Sequence, residues 1–386
     1  MLIAIDITPL QTGHRFRGIG SYTRGLLGGL ASLDTDDRFI LYAWNRVPLD
    51  LSEVDLPRQS TICTLSHFPG LGRASALVTQ QVLMLPHRIR LTPDIFHQLG
   101  IVADPTAGGL PWHLLGHSVV TVHDLTPLHS VGNYFAGKRL RRIVYAGMLY
   151  GARHCRRVIT DSAASADDIR TRLDLEPNSV AVVPLAVDVA LHKLLTQDMP
   201  PDTRLALPSK YILMIGGDLP NKRLDTLLDA FALADVSRVS LVVIGPSGPN
   251  LARFAIRQPE LGAKVFRFEH LGMRDLAAVY RRAALVVVPS EIEGFGLPVI
   301  EAMTAGVPTV CSDAPSLVEI AGGASASFPR GDCYALAKII SRLLRVPVEL
   351  TRLSKGGRDR SREFDWKRSA ELTYDVYDHA RRSVSP

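Results

Sequence analysis

The sequence has few of the features that mark secreted, membrane-spanning or metal-binding proteins. Its four cysteines are scattered over 386 residues without a Cys-x-x-Cys pair, so neither a disulfide framework nor a cysteine metal site is expected. No run approaches the ~20 apolar residues that a spanning helix needs. The first residues, MLIAIDITPL, lack the basic lead and apolar length of a secretory signal and are expected to form a strand. These absences favour a globular protein of a reducing cytoplasm.

Carboxylate patterns typical of metal sites are also scarce. The one Asp-x-Asp match, within Asp34–Asp37, falls in a polar loop between a helix and a strand, where chance explains it best. Nor do Glu293 and Glu301, eight positions apart across a turn, suit the opposed carboxylates of a glycosidase. We therefore expect no metal site and no resident cofactor.

Acidic residues are absent from residues 125–160, which hold seven Lys or Arg. Since the whole chain carries a formal charge of +6, this segment accounts for the entire excess. The pattern predicts one basic face and no nucleic-acid coat. Within it, residues 138–157 are predicted to form a basic amphipathic helix that could lie on an anionic membrane, face a diphosphate-linked acceptor, or only cover the core. The residues expected on its apolar face are Leu140, Ile143, Val144, Gly147, Met148 and Gly151.

Short apolar runs alternate with helical patterns along most of the chain, as in LIAID, SVVTVHD, YILMIGG and ALVVVPS. Apolar strands separated by helices indicate parallel sheets covered on both faces, so the fold class is α/β. A polar, proline-bearing stretch at 191–209 divides the strands into two series. We predict two doubly wound domains, residues 1–190 and 205–364, with a last helix in 365–386 that packs back on the first domain.

The segment SEIEGFGLPVIEA, residues 290–302, directly follows a predicted buried strand. Its glycines permit close backbone approach, and Pro298 suits the first turn of a helix. Backbone amides at a helix N-terminus and at the carboxyl end of a strand form an anion site. Two flanking carboxylates, Glu293 and Glu301, suit hydroxyl groups, so a nucleotide sugar fits the pattern. The alternative is a tight turn with solvated glutamates, and Glu291 is expected to be solvated in either case.

The two glutamates are separated by seven residues, and GFGLP directly follows the first. This arrangement resembles the signature of the retaining glycosyltransferases with the E-x7-E motif, group 1 or family 4-like, which have the GT-B fold. The resemblance implies two Rossmann-like domains facing across a cleft. It also implies that Glu293 contacts the transferred sugar, that the amides of Phe295, Gly296 and Leu297 contact the sugar and phosphate, and that Glu301 holds the ribose.

The stretch ILMIGGDLPNKRL resembles the loop that holds the donor diphosphate in this family, with Gly216 and Gly217 at its start. Lys222 occupies the family's lysine position. Gly217 replaces the usual arginine, and Arg223 is a candidate substitute. A later segment resembles the one whose backbone holds the edge of the base, near Met273.

In the predicted first domain, GIGSYTRG resembles the family's glycine-rich loop, which implies that Gly18 and Gly20 approach the donor phosphates, with Arg15 and Arg17 adding charge. The segment does not fit a dinucleotide fingerprint, because Thr23 stands where the third glycine belongs. His123, in VHDLTPL, corresponds to a histidine that reaches the transferred sugar.

The resemblance is strongest to the bacterial mannosyltransferase branch that builds cell-surface polysaccharides. It implies a retaining, metal-independent hexosyltransferase that uses GDP-mannose and a saccharide or lipid-linked saccharide acceptor. The alternatives are a UDP-hexose donor or a GT-B sugar-nucleotide epimerase. The implied location is the cytoplasm, either in solution or on the inner face of the cell membrane.

Overall fold

A computed structural model describes residues 1–16, 18–45, 47–52, 54–65, 93–101, 112–129, 134–197, 205–236 and 238–382. The chain divides into two compact units. Unit 1 contains Met1–Asp188 and Asp365–Pro386, and unit 2 contains Val189–Phe364.

Unit 1 is built on a parallel sheet with the strand order β3-β2-β1-β4-β5-β6-β7. Its strands are β1 (Leu2–Asp6), β2 (Arg38–Trp44), β3 (Gln59–Leu65), β4 (Ile95–Gln98), β5 (Ser118–Thr121), β6 (Arg157–Thr160) and β7 (Val180–Val182). Its first helices are α1 (Gly18–Ala31), α2 (Thr126–His129), α3 (Arg139–His154) and α4 (Ala163–Leu173). Inner strands such as β1 and β4 are buried along nearly their whole length, as expected for a sheet covered on both faces.

Unit 2 repeats the plan with the parallel order β10-β9-β8-β11-β12-β13. Its strands are β8 (Tyr211–Ile215), β9 (Ser240–Ile244), β10 (Val265–Phe268), β11 (Leu285–Val288), β12 (Thr309–Ser312) and β13 (Ala326–Phe328). Its helices are α5 (Val189–Thr196), α6 (Leu224–Leu233), α7 (Pro249–Arg257), α8 (Pro259–Gly262), α9 (Met273–Arg282), α10 (Leu297–Thr304), α11 (Pro315–Ala321), α12 (Cys333–Arg345) and α13 (Pro347–Ser361). The prediction of two doubly wound α/β units is confirmed.

The last helix, α14 (Trp366–Arg382), belongs to unit 1 and packs against α1. The contact is close because α1 presents glycines to it. A Cβ on Gly25 would lie 2.0 Å from Cε2 of Trp366, and one on Gly29 would lie 2.3 Å from the Trp366 carbonyl oxygen. Both glycines are therefore required by helix packing.

Polar anchors fix the position of α14 in unit 1. The indole Nε1 of Trp366 donates to the carbonyl of Val187 at 2.8 Å, and Ser369 Oγ donates to the carbonyl of Pro184 at 2.6 Å. Further along, the hydroxyl of Tyr377 meets Nδ1 of the buried His97 at 2.6 Å. The helix is thus bound at several levels to the segment that precedes unit 2 and to the sheet of unit 1.

The glycine-rich segment predicted to be a loop proves to be helical. Gly18 and Gly20 lie in the first turn of α1, preceded by 3-10 turns at Thr8–Gln11 and Gly13–Phe16. A Cβ on Gly20 would lie 2.4 Å from the carbonyl oxygen of Arg15. Gly20 is therefore required by the close approach of α1 to the preceding turn. Of the two arginines predicted nearby, Arg15 is exposed and Arg17 lies outside the described residues.

The predicted basic helix forms as α3, but its apolar face differs from the prediction. Val144, Met148 and Gly151 are buried, together with Tyr145 and Ala152. Leu140 and Ile143, expected on the same face, are 45% and 68% exposed. The prediction was wrong here because apolar residues cover more of the helix circumference than unit 1 buries. Within the described part of the chain, no helix is long and apolar enough to span a bilayer.

The packing of α1 on α14 gives a test with a matched control. Gly25→Ala should lower the free energy of unfolding by about 1–3 kcal/mol, because the added methyl overlaps the Trp366 ring. Gly28→Ala lies in the same helix, where a Cβ would meet nothing within 4 Å. It should be neutral or stabilising by up to about 1 kcal/mol, since alanine favours helix. Urea denaturation measures both variants, and equal effects would contradict the close-packing assignment.

Candidate active site

The candidate site of unit 2 lies where the strand order reverses. Strands β8 and β11 are neighbours in the sheet but are separated in sequence by β9 and β10. Ligands of open α/β sheets bind beyond the carboxyl ends of such strands. The two loops meet there, because the amide of Glu291 donates to the carbonyl of Asn221 at 2.8 Å, and Nδ2 of Asn221 donates to the carbonyl of Ile292 at 3.3 Å.

The turn after β11 delivers the chain into the N-terminus of α10. Gly296 is the N-cap, with a φ of +104°, and a Cβ there would lie 2.6 Å from Cδ2 of Leu317. Leu297 and Pro298 form the first turn. The side chain of Phe295 is buried and meets Phe364 edge-on at 5.6 Å. The turn is therefore held rigidly, and its amides lie at the positive end of the α10 dipole.

Glu293 lies directly before this turn and is paired with Lys222. Nζ of Lys222 donates to Oε1 of Glu293 at 2.5 Å, with side chains only 17% and 10% exposed. Ser290 Oγ donates to the same oxygen at 2.9 Å, and Ser316 Oγ donates to the Glu293 carbonyl at 2.7 Å. Two residues 71 positions apart are thus brought together, and each charge compensates the other.

Glu301 lies one turn into α10 and accepts a hydrogen bond from Tyr280. The phenol of Tyr280 is fully buried and donates to Oε2 of Glu301 at 2.5 Å. Burial and then the charge of Glu301 raise the pKa of Tyr280 well above its usual value, so the phenol keeps its proton. Tyr280 lies on α9, which begins at Met273, the residue predicted near the base. This helix therefore links the predicted base and ribose contacts.

Gly216 and Gly217 follow β8 with positive φ angles of +124° and +61°. The stem of Lys222 lies over Gly216, where a Cβ would be 2.9 Å from its Cγ. At Gly217 a Cβ would lie 2.4 Å from the carbonyl oxygen of Pro246. This backbone crossing leaves no room for a side chain at Gly217, the place where the resemblance implied an arginine.

Arg223, the candidate substitute for that arginine, is bound to two carboxylates. Its guanidinium donates to both oxygens of Asp225, and Nη1 donates to Oε2 of Glu291 at 2.9 Å. Its backbone takes the left-handed conformation, with a φ of +49°. The expectation that Glu291 is only solvated was therefore wrong, because Glu291 holds Arg223. A phosphate contact by Arg223 stays a prediction.

In unit 1, three adjacent strands end in a cluster around His123. His123 follows β5, Asp161 follows β6 and Leu99 follows β4. Nδ1 of His123 lies 2.7 Å from Oδ2 of Asp161, and Nε2 lies 3.2 Å from the Leu99 carbonyl oxygen. The ring of Tyr22, from α1, lies edge-on to the imidazole with centroids 4.8 Å apart.

Two partners of the predicted site residues were not expected from the sequence: Tyr280, which binds Glu301, and Asp161, which binds His123. Tyr280 lies on α9 and has no local signal, because its hydroxyl meets Glu301 only through tertiary packing. Asp161 ends the short run RVITD in the same way that Asp124 ends VVTVHD. That shared pattern of a polar residue at a strand end was a usable signal.

Two known families of glycosyltransferases match most of the chain. The family model of Glycosyltransferase Family 4 matches residues 16–191, and the family model of Glycosyl transferases group 1 matches residues 196–360. The two matched segments include His123, Lys222, Glu293 and Glu301.

Several curated proteins are similar in sequence. An MMP α-(1→4)-mannosyltransferase of Mycolicibacterium hassiacum is 35% identical over 61% of this chain and 56% of its own length. The serotype-specific mannosyltransferase WbdA of Escherichia coli is 23% identical over 98% of this chain and 48% of its own length. A D-inositol 3-phosphate glycosyltransferase of Streptomyces scabiei is 31% identical over 59% of this chain and 56% of its own length. The chain spans about half the length of these relatives.

Solved structures share the fold. Sucrose-phosphate synthase from Thermosynechococcus elongatus superposes with a TM-score of 0.76 at 20% identity, covering 99% of this chain and 100% of that one. The Anabaena protein HepE, in complex with UDP and glucose, superposes with a TM-score of 0.69 at 15% identity, covering 98% and 100%.

The Tyr280–Glu301 hydrogen bond should contribute measurably to stability. Tyr280→Phe keeps the ring and removes the donor, so the free energy of unfolding should fall by about 1–3 kcal/mol. Tyr334→Phe, in the exposed first turn of α12, is the control and should change stability by less than about 0.5 kcal/mol. Chemical denaturation of both variants tests this, and an unchanged Tyr280→Phe would mean that the bond contributes nothing.

Proposed function

Because the chain belongs to the group 1 glycosyltransferases with the GT-B fold, we propose that it transfers a hexose from a nucleotide sugar to a saccharide or lipid-linked saccharide acceptor. The observation that carries the proposal is the Lys222–Glu293 pair beside the N-terminus of α10. One cation, backbone amides and a carboxylate then lie together at the strand-order reversal of unit 2.

This arrangement suits a diphosphate between two polyols. The amides of the turn and the ammonium of Lys222 would face the diphosphate, while Glu293 and Glu301 would face hydroxyl groups of the hexose and the ribose. Without a donor, Lys222 and Glu293 neutralise each other. Bound donor would give each a new partner, a phosphate oxygen for Lys222 and a sugar hydroxyl for Glu293.

The chemistry needs stabilisation of the departing diphosphate. Lys222 and the positive end of α10 supply it without a metal ion, in a fixed geometry that costs little reorganisation. We propose that the acceptor hydroxyl attacks on the face that the diphosphate leaves and that a leaving phosphate oxygen takes its proton. This course retains the configuration of the anomeric carbon.

We propose mannose as the hexose and GDP-mannose as the donor, for use in cell-surface polysaccharide synthesis. Two of the curated relatives are named as mannosyltransferases, which supports the choice. A UDP-hexose is the second candidate, since the HepE structure contains UDP and glucose. A sugar-nucleotide epimerase remains a further alternative, and it would convert the donor without any acceptor.

A nucleotide panel and a transfer assay test the proposal. A nucleoside diphosphate at 100 times its dissociation constant should stabilise the protein by about 2.7 kcal/mol in thermal unfolding, with GDP giving the larger shift than UDP. Lys222→Met should reduce transfer from radiolabelled GDP-mannose by about 10²–10³-fold, because the diphosphate loses its cation.

Lys338→Met, an exposed lysine of α12, is the matched control and should transfer at the wild-type rate. Wild-type transfer by Lys222→Met would remove Lys222 from the mechanism. The absence of a shift with any nucleotide would remove the donor site. NMR of the donor alone distinguishes an epimerase, which would change the sugar without acceptor.

We further propose that α3 lies on an anionic membrane surface, where a lipid-linked acceptor would be met. Three apolar side chains on α3, Leu140, Ile143 and Tyr150, are exposed to solvent. The exposed basic residues beside them are Lys138, Arg139, Arg141 and Arg142. A bilayer with anionic lipids provides both partners, apolar chains for the first group and phosphate charges for the second.

Vesicle flotation tests this surface. The protein should bind vesicles that contain phosphatidylglycerol better than phosphatidylcholine alone, and salt should weaken the binding. Ile143→Ser and the double variant Arg141→Glu, Arg142→Glu should each reduce binding. Ile256→Ser is the control, since Ile256 is 80% exposed on α7 of unit 2. Equal binding by all variants, or no preference for anionic lipid, would contradict the proposal.

A further inference from the structure

The imidazole of His123 is held between two oxygen acceptors. Nδ1 faces the Asp161 carboxylate at 2.7 Å, and Nε2 faces the Leu99 carbonyl at 3.2 Å. A carbonyl oxygen only accepts, and an ionised carboxylate only accepts, so each nitrogen satisfies its neighbour by carrying a proton. The geometry therefore favours the imidazolium form, with a proton on both nitrogens.

Asp161 is equally dependent on His123. Its side chain is only 2% exposed. Among the described residues, its second oxygen, Oδ1, has no hydrogen-bond partner. A buried carboxylate is costly unless it is paired. In the described part of the site, the cation that compensates Asp161 is His123.

The other groups that face His123 are compatible with a positively charged imidazolium. Asp124, the next residue, adds a second negative charge. Tyr22 presents its ring edge, and its hydroxyl is bound to Thr121 at 2.9 Å. Burial lowers the pKa of His97, beyond Thr121, to about 3, so His97 is neutral and does not repel the imidazolium.

The opposing effects on the pKa of His123 have a net direction, which is upward. Burial alone would lower its pKa, but the charge and hydrogen bond of Asp161 outweigh burial, and the net effect raises the pKa. Burial raises the pKa of Asp161, and the positive charge of His123 opposes that shift. Each group thus stabilises the charged form of the other.

We propose that Asp161 is a positioning residue that keeps His123 doubly protonated, so that His123 offers a fixed N–H to a substrate oxygen and does not act as a base. The proposal rests on the proposed glycosyl transfer. The bond from Nε2 to Leu99 is long enough to be exchanged for a substrate oxygen, and the His123 side chain is 16% exposed. Asp161 itself touches no substrate.

Asp161→Asn tests the proposal through pH. In the wild type, His123 is charged below its raised pKa, so kcat/KM should fall only as pH rises through that value. Without the carboxylate charge the pKa drops, and the alkaline limb of the profile should move to lower pH. Above the lowered pKa, the kcat/KM of Asp161→Asn should fall about tenfold for each unit by which the pH exceeds that pKa. Acidification should restore it.

Two further variants separate charge from structure. Asp161→Glu keeps the charge and should recover most of the wild-type profile. His123→Gln should lose the alkaline limb, because its amide does not titrate in this range. If Asp161→Asn lowers kcat/KM equally at every pH, Asp161 has only a structural role and the proposal is overturned.

An NMR titration of the His123 Cε1–H resonance in the wild-type protein needs no activity. A pKa above the ordinary histidine value of about 6.5 supports the ion pair, and an ordinary or lower value overturns it. This measurement also decides the case if Asp161→Asn does not fold. If the wild type transfers no sugar from any donor, the proposed function fails, while the titration still judges the Asp161–His123 pair.

Discussion

Parallel strand pairing is the constraint on which both units depend. Every strand of a parallel sheet must be reached by a crossover, so all strands end at the same edge of the sheet. In unit 2 this brings the loop that carries Lys222 against the turn that carries Glu293. In unit 1 the same rule places His123 beside Asp161, because β5 and β6 are adjacent. Each cluster combines residues that are distant in sequence.

Opposite charges in these clusters satisfy each other. The pairs of Lys222 with Glu293 and of His123 with Asp161 are largely buried, and the pair of Arg223 with Glu291 is partly exposed. Such pairs offset the desolvation of groups that a ligand would otherwise have to satisfy. The candidate donor site is thus ready to exchange its internal partners for those of a substrate, at positions fixed by backbone crossings such as that of Gly217 with Pro246.

Glycine shows how one residue type serves different ends in this chain. Gly296 adopts a positive φ that turns the chain into α10. Gly25 adopts an ordinary helical conformation, and its missing side chain makes room for Trp366. Sequence alone does not separate these cases, since both occur in short glycine-rich stretches. This is why the segment around Gly18 and Gly20 was interpreted as a loop although it begins a helix.

The sequence by itself determined the α/β class, the alternation of apolar strands with helices and the E-x7-E segment, because burial period, proline position and residue spacing are local properties. Only the tertiary structure decided what each polar group meets. Tyr280 reaches Glu301, Glu291 binds Arg223, and α3 buries Tyr145 while Ile143 stays in solvent. These outcomes depend on distances between elements far apart in the chain, which no local pattern encodes.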